Sequence, residues 1–109
     1  MALDPKTGEY RIHAIIYGAR DKYPDRWERD NVLAADHLPK LAGLHLYVAH
    51  GDKDKAVPVE QLAIFEKALT KVTLASSVFV VTPGAGHDWA LWNAHWPPMF
   101  EAMGRVFAP

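Results

Sequence analysis

The chain contains no cysteine, which excludes disulfides, zinc–thiolate centres and thiol nucleophiles. It has no long apolar run: nothing approaches the roughly 20 consecutive apolar residues that a membrane helix needs. It has little charge imbalance. Twelve basic and 13 acidic residues leave a formal charge of −1, and they are well mixed. No basic stripe marks a nucleic-acid partner. Residues 1–5 carry neither a basic n-region nor an apolar h-region, so no secretory signal is expected, and a cytoplasmic location is expected if Met1 is the true start. Internal repeats and low-complexity tracts are absent as well.

What is present is half hydrophobic by count, with four each of Trp, Tyr and Phe, over 109 residues. That suffices for one small domain with a modest core. Tyr10 to Tyr17 is rich in aromatic and β-branched residues, and Ile12, Ala14 and Ile16 alternate with Arg11 and His13, which predicts a strand. A polar loop follows from Gly18 to Asn31, and Asp30 or Asn31 is placed to cap a short helix through Val32 to Ala35. Leu44 to Ala49 and Ser77 to Val81 read as buried strands around a helix at Val59 to Lys71, where Leu62, Phe65 and Leu69 recur at helical spacing and Pro58 suits the first turn. This is a βαβ pattern with parallel strands. From Trp89 onward the spacing is helical again, with a break expected near His95, ahead of Pro97 and Pro98. The expected fold class is α/β, with about three mostly parallel strands and flanking helices. So few strands leave the sheet bare at an edge, which something must cover.

Two loops carry the candidate chemistry: residues 50–58, His-Gly-Asp-Lys-Asp-Lys-Ala-Val-Pro, and residues 83–89, Pro-Gly-Ala-Gly-His-Asp-Trp. Both follow predicted parallel strands, whose carboxyl ends are where open α/β sheets bind ligands. A carboxylate at one strand end and an imidazole at the next form the acid–base half of a serine triad. Asp52 and Asp54 both qualify as the acid, and His87 is the candidate base.

The string H-G-D-x-D-x-x-V-P from His50, followed by a helix, a strand and P-G-x-G-H-D-W-x-x-W ending at Trp92, resembles the end of an α/β-hydrolase esterase family that includes S-formylglutathione hydrolases and feruloyl esterases. Ile16-Tyr17-Gly18 and the segment around Trp27 share in the resemblance, which covers most of the chain and is strongest from Leu44 to Trp92. It implies a partial α/β-hydrolase sheet and acyl-ester hydrolysis, with Asp54 as triad acid and His87 as triad base. The departure is the nucleophile. In this fold the order is nucleophile, acid, histidine, with the serine on a G-x-S-x-G elbow. The chain has no such elbow, and its two serines, Ser76 and Ser77, lack flanking glycines. The resemblance therefore implies the C-terminal part of a serine carboxylesterase, inactive alone. Its partners would be the missing N-terminal half or a second copy along the sheet edge, and an ester in the complete enzyme. The alternative is a non-catalytic module of the same origin that self-associates or binds a partner.

The remaining residues divide between structure and site. Asp88 reads as a helix cap. Trp89 and Trp92 read as packing residues for the last helix, with Trp89 also a candidate substrate contact. His50 reads as a structural histidine at a strand end, with substrate contact as its second role. His13, His37, His45 and His95 read as strand or surface residues. Zinc held by His50, Asp52, Asp54 and His87 is conceivable from ligand type, but no metal-binding spacing supports it, and neither metal nor cofactor is expected.

Overall fold

The structure, a computed structural model, describes residue 6 and residues 8–109. Its described part forms two compact units, one within residues 1–40 and one spanning Leu41–Pro109.

In the first unit, α1 spans Gly8–Tyr17 and α2 spans Pro24–Arg29. The predicted strand at Tyr10 to Tyr17 is therefore a helix. The same residues also fit a period of 3.6: Tyr10, Ala14 and Tyr17 share one half-buried face, while Ile12, Ile15 and Ile16 are 62%, 86% and 67% exposed. The inward face is held by Trp27 of α2. Tyr10 stacks on the Trp27 ring at 5.2 Å and Tyr17 tilts against it at 5.5 Å. The indole N–H donates to the Gly18 carbonyl at 3.0 Å, and the Arg20 guanidinium lies 5.9 Å from the ring centre. An aromatic contact across two helices outweighs the weak β preference of the isoleucines. The short helix expected at Val32 to Ala35 is a run of turns. Asn31 directs them, accepting from Leu33 N through Oδ1 and from Ala34 N through its carbonyl. They lead into a single 3₁₀ turn, Leu38–Leu41.

The second unit is built on β1 (His45–Gly51) and β2 (Ser76–Thr82), paired parallel with His45 opposite Ser76 and Gly51 opposite Thr82. The connection carries α3, Glu60–Leu69, whose first turn starts where Gln61 N donates to Pro58 O. Side chains of a strand alternate between faces. On one face Phe79 meets Phe65 of α3 edge-on at 6.3 Å, and Leu62 and Leu69 of α3 are buried. On the other lies α4, Trp89–Phe107, packed against β1. Leu91 anchors its first turn in the core. Each such buried leucine contributes about 1.5–3 kcal/mol.

The break expected near His95 does not occur, because α4 runs through Pro97 and Pro98. Proline fixes φ near a helical value, so the pair removes two intrahelical hydrogen bonds without forcing the backbone out of the helix. Among the described residues two strands stand where about three were expected, so mixed α/β is the class they support. Large apolar side chains remain in solvent in this unit, including Val78, Val81, Phe100, Met103 and Phe107. No helix among the described residues is long and apolar enough to cross a membrane.

Trp27 is the test of the first unit. Trp27→Ala removes the ring against which Tyr10, Tyr17 and Arg20 pack. For a half-buried indole the loss should be roughly 2–3 kcal/mol, below the full-burial range. It should appear as loss of amide-exchange protection in α1 and α2 at denaturant concentrations the parent withstands.

Candidate functional site

Because β1 and β2 run parallel and in register, the loops that follow them leave the sheet at the same end. Asp52 N donates to Thr82 O at 3.3 Å and Lys53 N to Ala85 O at 2.9 Å. The Asp52 carboxylate accepts from Gly84 N at 2.6 Å. Thr82 to Ala85 closes a turn in which Ala85 N donates back to Thr82 O, with Pro83 second and Gly84 third at φ +75°. That is the type II arrangement, which places glycine where φ is positive. Gly51 is needed for a different reason. A Cβ there would lie 2.6 Å from the Ala85 carbonyl carbon and 2.9 Å from Gly86 O, so the loops could not meet.

The contact between loops gives the two aspartates different partners. Asp52 is occupied with the Gly84 amide. Asp54 reaches His87: its Oδ2 lies 2.8 Å from His87 Nδ1. Its Oδ1 accepts from the backbone N–H of Ala56 and of Val57, each at 2.8 Å. The Asp54 side chain is 4% exposed and the His87 side chain 47%. Burial is the largest single influence on Asp54 and opposes its charge. The Val57 amide, the His87 imidazole and the Ala56 amide outweigh it together, and hold the carboxyl below its ordinary pKa. A carboxylate at Nδ1 fixes the tautomer with the proton on that nitrogen and leaves Nε2 as the basic atom. Nε2 forms no hydrogen bond among the described residues.

The other candidates take distinct places. His50 Nε2 donates to Val57 O at 2.8 Å and sits 3.6 Å from Asp54 Oδ2, so it braces the acid loop. Asp88 caps α4, accepting from Leu91 N at 3.0 Å. The His87 ring meets Trp92 edge-on at 5.4 Å, and Trp92 meets Trp89 at 4.9 Å. Trp92 is half-buried, whereas Trp89 is 68% exposed, so Trp89 does not pack the helix on the sheet and stands open beside the pair. No group of three His, Asp or Glu among the described residues could hold a metal ion.

Ser76 is not part of this site. It hydrogen-bonds His45 Nδ1 at 2.7 Å at the start of the strands, and seven-residue strands put roughly 20 Å between their two ends. His95, expected as a strand or surface residue, is neither. It is half-buried, with Nδ1 2.8 Å from the Tyr47 hydroxyl and Nε2 2.7 Å from Thr82 Oγ1. The signal for it lay at i+4 from the buried Leu91, on the inward helix face.

Two outcomes test this geometry. Gly51→Ala should push the loops apart, destabilise the fold by about 1–3 kcal/mol and abolish the preference of His87 for the Nδ1–H tautomer, read from its ring ¹⁵N shifts. The second concerns acid. Asp54 has a folded pKa below its unfolded one, so its contribution to stability is complete above about pH 3.9. It is lost as pH falls from there through the folded value. In a pH titration, thermal stability of Asp54→Asn should converge on that of the parent over this window and not at higher pH.

No protein-family model, curated protein or solved structure matches the chain.

Proposed function

We propose that this chain supplies the acid and base of a serine carboxylesterase, and that the nucleophilic serine and the oxyanion-hole donors come from a polypeptide segment outside it. The single observation that supports the reading is the 2.8 Å contact between a shielded, doubly amide-bonded Asp54 and Nδ1 of an accessible His87. A hydrogen-bonding partner for structure alone does not require a free ring nitrogen on the solvent side.

In the assembled enzyme His87 Nε2 takes the serine hydroxyl proton as the serine oxygen bonds to the ester carbonyl carbon. Asp54 stays ionised and stabilises the resulting imidazolium. The same Nε2–H then protonates the departing alkoxide oxygen, leaving an acyl-enzyme. Water, deprotonated by Nε2 as its oxygen bonds to the acyl carbon, displaces the serine oxygen, which takes that proton back from Nε2 as the acid departs. In this reading Trp89, exposed at the start of α4, contacts the substrate, and His50 acts through the loop that holds Asp54. The apolar side chains left in solvent on the two-stranded sheet and on α4 favour association, with the missing half or with a second copy. A second copy alone adds no elbow serine, so hydrolysis requires the other segment.

The test is complementation. The isolated chain should show no labelling by a fluorophosphonate serine probe and no ester turnover. Adding a polypeptide with the upstream strands and a G-x-S-x-G turn should produce turnover that Asp54→Asn lowers on the order of 10³–10⁴-fold. Stoichiometric labelling of Ser76 or Ser77, or turnover indifferent to Asp54→Asn and His87→Ala, would overturn the proposal.

A further inference from the structure

His95 lies eight residues after His87, and both its ring nitrogens are engaged: Nδ1 with the hydroxyl of Tyr47 on β1, and Nε2 with Oγ1 of Thr82, the last residue of β2. A neutral imidazole has one N–H and one lone pair, and each hydroxyl can donate or accept, so the chain of contacts is satisfied in either direction. With neither nitrogen free, His95 is not placed to exchange protons with a substrate. Its contribution is geometric.

Thr82 is the residue on which the two loops converge. Its carbonyl accepts both Asp52 N, from the acid loop, and Ala85 N, from the histidine loop. The histidine loop leaves Thr82 and ends at Asp88, the cap of α4. The Thr82–His95 contact therefore ties the helix that receives the loop to the strand that launches it. His87 lies between two points joined by a rigid ring.

We propose that His95, braced by Tyr47 and Thr82, is a positioning residue that fixes the span of the 83–88 loop and so holds His87 Nδ1 on Asp54. This rests on reading Asp54 and His87 as the acid–base pair. A histidine that merely fastened α4 to the sheet would affect melting and leave the state of the His87 ring unchanged.

The experiment is the tautomer of His87, read from ring ¹⁵N shifts in the full chain at a pH where the imidazole is neutral, alongside the thermal midpoint. The parent should show the Nδ1–H form. Thr82→Val, which removes one hydroxyl at nearly constant volume, should lose most of that preference, drifting toward the mixture of a free imidazole. Tyr47→Phe should lose part of it. His95→Gln, which keeps a donor and an acceptor, should recover more of it than His95→Ala. If Thr82→Val keeps the parent tautomer, whatever happens to its midpoint, the positioning role is wrong and the acid–base pair stands. If the parent itself lacks the Nδ1–H form, the pair is wrong and the positioning role goes with it. Thr82→Val carries the test should a His95 variant not fold.

Discussion

Every feature of the site depends on the parallel, in-register pairing of β1 and β2. Parallel strands release their following loops at the same edge, and equal register releases them at the same height, Gly51 beside Thr82. An antiparallel pair would place the two loops at opposite ends of the sheet. A one-residue slip would put Tyr47 and Thr82 on opposite faces of the sheet, so that both could not meet α4. The loop contacts, the bare α-carbon of Gly51 and the bridge through His95 refine a coincidence that the strand pairing creates.

The sequence carried the central part of this plainly. Strand residues of the β1 and β2 runs, the leucines of α3 and the two strand-end loops each have one dominant local pattern, and His87 is the one imidazole of the second loop. The N-terminal segment has two patterns at once. Ile12, Ala14 and Ile16 alternate as a strand does, while Tyr10, Ala14 and Tyr17 repeat as a helix does. The tie is broken by Trp27, ten residues beyond Tyr17, a non-local partner that a short window does not weigh. At Pro97 and Pro98 the local rule was too strong, since a helix already anchored on a sheet by Leu91 and His95 tolerates two missing bonds. The competition between Asp52 and Asp54 was undecidable locally, because both carboxylates lie on one loop and only the position of the second loop assigns each its partner.

Polar and apolar demands are met unequally in this chain. Among the described residues no buried side-chain nitrogen or oxygen lacks a hydrogen-bonding partner. Asp54, His50, Asp52, Asp88 and His95 find theirs within the second unit. The apolar surface does not: Phe100, Phe107 and the outer valines of β2 stay in solvent, and the groove between the strand starts and the end of α4, about 290 Å³ and lined by Leu46, Val78, Met103 and Phe107, is open. The wiring of Asp54 and His87 is thus local, while much of the apolar surface around the sheet stays bare.

The edge-on contact between His87 and Trp92 has an optical consequence. An indole excited beside an imidazole loses emission when that imidazole gains a proton, and here the two rings are 5.4 Å apart with Trp92 half-buried. The state of the His87 ring is therefore written into the fluorescence of a neighbour the protein already owns. An unlabelled sample reports, as light, on the ring that closes the contact between the two loops.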